Sequence, residues 1–216
     1  MTLKEKNTKY FIFDFDGTLA DSFQIFLHAA EKILKRPQKL TPLEIEELRN
    51  LSLKEIIDKL GIRPWQIPGL IVKGRKEVKT MMRDSKIFYG IEKELATLAK
   101  NSSLYILSSN SPESIKDFLI RHEMDGYFKN IYGDIGLTGK AKALRKLIKA
   151  EGLKIEDCVY IGDETRDVTG ARKIGMKVAS VGWGFSSAIA LKKASPDLLI
   201  NETSKLADEL RRLAER

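Results

Sequence analysis

The sequence predicts an α/β protein: a doubly wound, mostly parallel sheet with a small α-helical domain inserted after its first strand. Three observations lead to this prediction. Short apolar runs of strand length recur along most of the chain, and amphipathic helical patterns separate them. Strands that alternate with helices in this way are typical of parallel sheets covered by helices on both faces. Residues 21–84 are the exception, because they contain helical patterns and no strand-like run.

Turn residues bound each strand of the predicted sheet. These strands are Lys9–Phe15, Leu104–Ser108, Tyr127–Tyr132, Cys158–Gly162, Val178–Val181 and Leu198–Ile200. The helices predicted between and after them repeat apolar residues three and four positions apart. They are Ile91–Lys100, Ser111–His122, Ala141–Ala150, Asp167–Ile174 and Leu206–Leu213.

The predicted insertion follows the first strand directly. A crossover between parallel strands needs only about a dozen residues, so we expect residues 21–84 to form a separate module over the carboxyl ends of the strands. Residues 1–20 and 85–216 would then form the core domain. The helical patterns of the insertion are Ser22–Leu34, Pro42–Asn50, Ser52–Leu60 and a longer one near Gln66–Met82.

Composition and charge exclude several classes of protein. A hydrophobic content of 43% in 216 residues predicts a folded chain. The net charge is +8, but basic and acidic residues are interleaved and we find no nucleic-acid-binding motif, so we expect no nucleic-acid partner. No stretch approaches the roughly 18 apolar residues of a membrane span, and the polar N-terminus lacks a signal-peptide pattern. We therefore expect a cytoplasmic protein without a membrane partner.

Two carboxylates at the end of the first predicted strand, Asp14 and Asp16, are the most informative feature. At about 4 Å apart they would repel each other by roughly 1 kcal/mol in water and about 4 kcal/mol near a protein surface. A hard cation with an anionic substrate would compensate this repulsion. Residues two apart in an extended chain point the same way, so one carboxylate could attack phosphorus while the other transfers protons. A solvated turn at Gly17 is the alternative.

Two further positions could bind a phosphate group. Ser109 and Asn110 close the second long strand and open a helix, where a hydroxyl, an amide and a helix N-terminus would form an anion site. Their alternative role is an ordinary helix cap. Lys140 lies directly before the predicted helix Ala141–Ala150 and could neutralise the charge of a phosphate group and of a nucleophilic carboxylate. A surface lysine is its alternative interpretation.

Asp163 and Asp167 follow the strand Cys158–Gly162, and we expect them four residues apart on the helix that begins there. Carboxylates at the carboxyl end of a strand suit Mg²⁺, which takes one or two of them and completes its shell with water and substrate phosphate. The alternative is that these acids only stabilise the N-terminus of the helix.

The order of these four motifs resembles the haloacid dehalogenase-like hydrolase superfamily, over essentially the whole chain. The motifs are the DFDGT run that begins at Asp14, Ser109 at a strand end, Lys140, and the GDETRD run at 162–167. The helical insertion looks like the C1 cap of that family, on a Rossmann-like core. Residues 181–185, Val-Gly-Trp-Gly-Phe, resemble a strand-end loop of phosphoglycolate-phosphatase-like members.

The resemblance implies a role for each residue of the catalytic and phosphate-binding motifs. Asp14 would be the nucleophile and Asp16 the general acid and base. Lys140 would bridge Asp14 and the phosphate. The transferring phosphoryl group would be held by Ser109, Asn110, Gly17 and Thr18.

The resemblance also implies a Mg²⁺ site and a specificity loop. Its ligands would be Asp14, the main-chain carbonyl of Asp16, Asp163 and, through water, Asp167. The turn at 49–53, Arg-Asn-Leu-Ser-Leu, falls where relatives lower a specificity loop over the site, and we expect Arg49 or Asn50 to contact the polar end of the leaving group. Ordinary packing at the end of a helix is the alternative for these two residues.

The expected function is a Mg²⁺-dependent phosphatase that hydrolyses a small phosphorylated metabolite through an aspartyl-phosphate, as a monomer or homodimer. A sugar-phosphate mutase of the phosphoglucomutase kind shares the core motifs and is the first alternative. A metal-independent haloacid dehalogenase has no leaving alkoxide to protonate, so Asp16 and the intact GDETRD run speak against it. A non-catalytic binding module is favoured only if Asp14 or Asp16 is lost, and both are present.

Overall fold

The computed structural model of the chain describes residues 9–35, 39–136 and 139–216. The polar N-terminal stretch 1–8, in which we predict no signal peptide, lies outside the described residues. The strands are β1 (Lys9–Phe13), β2 (Ala20–Asp21), β3 (Lys86–Ile87), β4 (Ser102–Leu107), β5 (Phe128–Tyr132), β6 (Cys158–Gly162), β7 (Lys177–Val181) and β8 (Leu198–Ile200). The helices are α1 (Phe23–Ile33), α2 (Pro42–Arg49), α3 (Leu53–Lys59), α4 (Ile67–Met81), α5 (Ile91–Ala99), α6 (Pro112–Arg121), α7 (Lys140–Glu151), α8 (Thr165–Arg172), α9 (Ala188–Ala194) and α10 (Leu206–Glu215).

Six of the described strands form one parallel sheet in the order β5-β4-β1-β6-β7-β8. The doubly wound α/β fold is therefore confirmed, and β1 lies between β4 and β6 in the sheet. Phe13 is in register with Ile106 of β4 and with Ile161 of β6. Because these three strands end level with one another, the residues that follow them meet at one edge of the sheet.

Side chains of β1 alternate between two apolar layers on opposite faces of the sheet. Phe11 and Phe13 belong to one layer, and Ile12 belongs to the other. All three side chains are fully buried. A strand covered on both faces has no polar face, which is why β1 reads as a continuous apolar run in the sequence.

The predicted long strands and helices are all present, with ends shifted by no more than two residues. Three short elements were missed: β2 and β3, which pair as an antiparallel ribbon, and α9. A strand of two residues has no periodicity to detect, because it exists only through its pairing with a distant partner. Helix α9 follows a loop of glycine and serine residues in the sequence, which conceals its start.

Helices α1 to α4 occupy the predicted insertion, and the β2–β3 ribbon joins its two ends by pairing Ala20 with Ile87. Helix α1 packs against α4, with an ion pair of 2.6 Å between Lys32 and Glu77. Capping boxes of Thr41 with Glu44 and of Ser52 with Glu55 begin α2 and α3. The domain boundaries at 20/21 and 84/85 stay a prediction.

Within the described ranges, none of the helices combines the length and apolarity required to cross a membrane.

Helix α6 offers a test of the core. The Phe118 side chain is fully buried, and its ring meets that of Phe15 edge to face at a centroid distance of 5.0 Å. We expect Phe118→Ala to lower the free energy of unfolding by about 3–5 kcal/mol, because the substitution leaves a cavity. Urea denaturation monitored by circular dichroism measures the change.

The matched control is Ile120→Ala on the same helix, because the Ile120 side chain is 52% exposed. Its effect is expected to stay within about 0.5 kcal/mol. Equal destabilisation by the two substitutions would contradict this description of the core.

Candidate active site

The candidate site lies where the carboxyl ends of β1, β4 and β6 meet. Asp14 follows the last residue of β1, Asp163 follows the last residue of β6, and Ser109 lies two residues beyond β4. Because β1 is hydrogen-bonded to both other strands, these three residues are neighbours in space although they are far apart in the chain.

Asp14 is a buried carboxylate with a partner for each oxygen. Only 3% of the residue is exposed. Its Oδ1 accepts a hydrogen bond of 2.8 Å from the main-chain N–H of Phe15, and its Oδ2 lies 2.5 Å from the Lys140 ammonium. The Asp14 main chain continues the sheet by donating from N–H to the carbonyl of Ile161. The carboxylate is therefore held in one orientation.

Lys140, the first residue of α7, is inserted between two carboxylates. Its Nζ lies 2.5 Å from Asp14 Oδ2 and 2.6 Å from Asp167 Oδ1, and it sits 5.2 Å from the centre of the Tyr160 ring. Burial alone would lower the pKa of Lys140, but the charges of Asp14 and Asp167 raise it above its usual value. The lysine therefore stays positively charged, and it is not the surface residue of the alternative interpretation.

Asp163 and Asp167 are both fully buried, but only Asp167 lies on a helix. The expectation that both acids share one helix is wrong, because α8 begins at Thr165. Glu164 is its N-cap residue, and its main-chain N–H donates to Asp167 Oδ2 at 2.9 Å. This capping delays the start of the helix and leaves Asp163 in the loop, facing Asp14.

Asp14, Asp163 and Asp167 form a cluster that fits a cation. Each offers a carboxylate oxygen, and these oxygens lie within 4.8 Å of one another. Within the described residues, Asp163 receives hydrogen bonds from Thr18 Oγ1 at 2.8 Å and Phe185 N–H at 2.7 Å but has no ion-pair partner. Burial raises the pKa of the Asp163 carboxyl well above its usual range, and neighbouring carboxylates, Glu164 foremost, raise it further. A bound cation would balance this excess of negative charge.

Asp16 is half-buried next to this cluster. Its Oδ2 accepts a hydrogen bond of 3.3 Å from the Asn110 side-chain amide. Its Oδ1 is buried and has no hydrogen-bond partner in the described part of the chain. Burial raises the pKa of the Asp16 carboxyl to about 7, and the charge of Asp14 adds to this rise. A carboxyl with such a pKa can both give and take a proton near neutral pH.

Gly17 and Thr18 form the turn after this acid pair. Gly17 has φ +75°, and a Cβ at this position would overlap the Asp163 carboxylate. The Thr18 hydroxyl donates to Asp163, as noted above, and its carbonyl accepts from the Trp183 indole N–H at 3.2 Å. The structure therefore places both residues against Asp163, and their contact with phosphate stays a prediction.

Ser109 faces the cluster together with Arg166, a residue that sequence reasoning missed. The Arg166 guanidinium donates to Glu164 at 2.5 Å and to Ser109 Oγ at 3.5 Å. Burial alone would lower the pKa of Arg166, but the charge of Glu164 and the more distant acids raise it. The signal was present in the sequence, since Arg166 is the cation inside the otherwise acidic GDETRD run.

Arg49 and Asn50 lie at the end of α2 and contact the loop after β7. The Arg49 guanidinium donates to the carbonyls of Gly184 at 2.9 Å and Phe185 at 3.1 Å. The Ser187 hydroxyl donates to Asn50 Oδ1 at 2.5 Å, and its main-chain N–H donates to the Arg49 carbonyl. These contacts tie α2 to the loop after β7, and a role in substrate binding stays a prediction for both residues.

A cavity of about 450 Å³ joins the sheet edge to the inserted helices. Asp14, Asp16, Ser109 and Asn110 line its floor, and side chains from α1, α3 and α4 line the opposite wall. This volume is within the range of about 300–1,000 Å³ that is usual for ligand pockets.

Comparison with known proteins agrees with this geometry. A phosphoglycolate phosphatase from Synechococcus elongatus is 33% identical over 207 residues, which cover 94% of this chain and 97% of that protein. A 5'-nucleotidase from Pseudomonas aeruginosa is 32% identical over 201 residues, which cover 86% of this chain and 87% of that protein.

A solved structure of a haloacid dehalogenase-like family hydrolase from Streptococcus pneumoniae shares the fold. Its TM-score is 0.77 over 94% of this chain and 99% of that chain, at 23% identity. Residues 11–181 match the family described as haloacid dehalogenase-like hydrolase. The chain therefore belongs to the haloacid dehalogenase-like hydrolase family.

Proposed function

We propose that this protein is a Mg²⁺-dependent phosphatase that hydrolyses a phosphate monoester through an aspartyl-phosphate on Asp14. The observation that carries the proposal is a pair of carboxyl groups with different partners at one strand end. Asp14 is paired with the Lys140 ammonium at 2.5 Å, although burial raises the pKa of its carboxyl. Asp16 has a buried oxygen without a hydrogen-bond partner in the described residues, and its pKa is raised to about 7. The relatives named as phosphatase and nucleotidase support the same reaction class.

In the first step, an Asp14 carboxylate oxygen attacks phosphorus and the bond to the ester oxygen breaks. The electron pair goes to the leaving oxygen, which takes the proton held by Asp16. Ser109, Asn110, Gly17 and Thr18 hold the transferring group, and Lys140 neutralises charge on it. Arg166, through its position beside Ser109, adds a second cation at the same place.

In the second step, Asp16 takes a proton from water as the water oxygen attacks the aspartyl-phosphate. The bond between phosphorus and Asp14 breaks, which regenerates the carboxylate and releases inorganic phosphate. Asp14, Asp163, Asp167 and the Asp16 carbonyl would hold Mg²⁺. When bound, this ion supplies positive charge that stabilises the equatorial phosphate oxygens.

In this proposal residues 21–84 form a cap domain over the site. The support is that α1, α3 and α4 line one wall of the cavity while Asp14 and Asp16 line another. A cap in this position would exclude bulk water from the aspartyl-phosphate and select the leaving group.

The metal requirement is the first test. We expect release of inorganic phosphate from an aryl phosphate to depend on Mg²⁺, to stop when a chelator is added and to return when Mg²⁺ is restored in excess. The physical reason is that Lys140 pairs with Asp14 and Asp167 but, within the described residues, no cation pairs with the buried Asp163. Turnover that is insensitive to the chelator would contradict the metal assignment.

The second test concerns the separate roles of Asp14 as nucleophile and Asp16 as general acid. We expect Asp14→Asn to abolish turnover of every ester. In the first turnover, Asp16→Asn should slow release of the alcohol from an alkyl phosphate by about 10²–10⁴-fold, and release of the phenol from an aryl phosphate much less, because a phenolate leaves without needing a proton from an acid. Rapid-quench measurement of the alcohol or phenol released in the first turnover separates this step from hydrolysis of the aspartyl-phosphate, which the substitution slows for both esters.

The matched control is Asp117→Asn, an exposed carboxylate on α6, which should leave both rates unchanged. Equal losses on the two esters would contradict the acid role of Asp16. Conversion of a sugar phosphate to its isomer without release of inorganic phosphate would indicate a mutase instead.

A further inference from the structure

The wall of the cavity opposite the catalytic carboxylates is built from hydrocarbon side chains. Ile33 of α1, Ile57 of α3, and Leu70 and Ile71 of α4 are among them. Along the described lining from α1 to α4, Arg75 and Lys79 carry the only polar side chains. The cavity is therefore polar at the sheet edge and apolar under the cap.

Arg75 and Lys79 are both exposed, so neither offers a buried cation to a charged leaving group. The Arg75 guanidinium is paired with Asp134 at 3.2 Å and donates to the Ser109 carbonyl at 3.4 Å. This half-exposed ion pair costs little to break. An anionic leaving group that extends past it among α1, α3 and α4 would still lose its hydration against aliphatic side chains, which is unfavourable.

The position of the reacting phosphate decides which part of a substrate enters this space. Asp14 and Asp16 form the floor at the strand ends, and the bulk of the core lies behind them. A phosphate group in line with Asp14 must therefore direct its ester oxygen, and everything attached to it, toward the cap. The cavity under the cap is the leaving-group pocket.

We propose that the preferred substrate is a phosphate monoester of an apolar alcohol, with its hydrocarbon part bound among α1, α3 and α4. This inference rests on the proposed phosphatase function and names the substrate class of that same site. The complementarity is simple: polar groups and cations receive the phosphate, and aliphatic side chains receive the hydrocarbon.

Hydrolysis of a series of n-alkyl phosphates from ethyl to octyl tests the proposal. We expect kcat/KM to rise about fourfold for each added methylene until the cavity is filled, the factor expected for burying one such group. The kcat/KM for octyl phosphate should also exceed that for phosphoglycolate, whose leaving group carries a carboxylate. A flat series, or a higher kcat/KM for phosphoglycolate than for octyl phosphate, would overturn the inference.

Binding of n-alkylphosphonates separates this inference from the phosphatase proposal. Their carbon–phosphorus bond leaves no ester oxygen to be released, so calorimetric titration in Mg²⁺-containing buffer measures affinity without turnover. We expect Kd to fall with chain length and the heat-capacity change of binding to become more negative. Such a trend without hydrolysis of any ester would sustain the apolar pocket and overturn the phosphatase function, whereas chain-length-independent binding would overturn the pocket.

A pair of adjacent residues on α4 provides matched variants. Ile71 lines the cavity, whereas the neighbouring Val72 is 70% exposed on the outer face of the same helix. Ile71→Asn should reduce the octyl-to-ethyl ratio of kcat/KM at least tenfold, and Val72→Asn should leave that ratio unchanged. Circular dichroism identifies a variant that has not folded, in which case the wild-type chain-length series decides. An unchanged ratio in folded Ile71→Asn would overturn the proposal.

Discussion

The ion pairs of Lys140 are the interaction on which the rest of the site depends. Acids from two strands and one helix converge at one sheet edge, and burying them without compensation would be prohibitively unfavourable. The Lys140 ammonium lies within 2.6 Å of both Asp14 and Asp167, so one side chain from a third element joins the ends of β1 and the start of α8. Among the described residues no cation pairs with Asp163, and this missing partner is the physical basis for the proposed metal.

The loop after β7 connects this charged centre to the inserted helices. Phe185 donates from its main chain to Asp163, and its ring meets those of Phe23 and Phe26 on α1 at 5.4 and 5.2 Å. Its carbonyl accepts from Arg49. Phe185 thus contacts the carboxylate cluster, helix α1 on the cavity wall, and the end of α2. A change in the carboxylate cluster, such as the binding of a cation, would therefore act on the contacts that Phe185 makes with α1 and with Arg49.

Sequence patterns were sufficient for most of the fold, and residues that they single out (Asp14, Asp16, Ser109 and Asn110) line one cavity in the structure. The long strands are detectable because β1 and its neighbours are covered on both faces and read as apolar runs. Asp14, Asp16 and Asp163 stand out because a charged residue at the end of a buried strand costs folding free energy unless a partner or ligand compensates its charge. Lys140 stands out as a cation that could provide such compensation. The β2–β3 ribbon was missed because it depends on pairing across more than sixty positions of the chain, from Ala20 to Ile87.

By itself, the sequence determined the α/β class and the insertion of helices after the first strand, and it predicted the acids, lysine and hydroxyl of the candidate site, because each is a local pattern. Only the tertiary structure decided how these residues share their charges and contacts. It placed Asp163 before α8, put Arg166 beside Ser109, and turned Arg49 onto main-chain carbonyls. It also showed the apolar wall of the cavity. The packing of α1, α3 and α4 against one another decides which of their aliphatic side chains line that wall, and a local pattern does not contain this information.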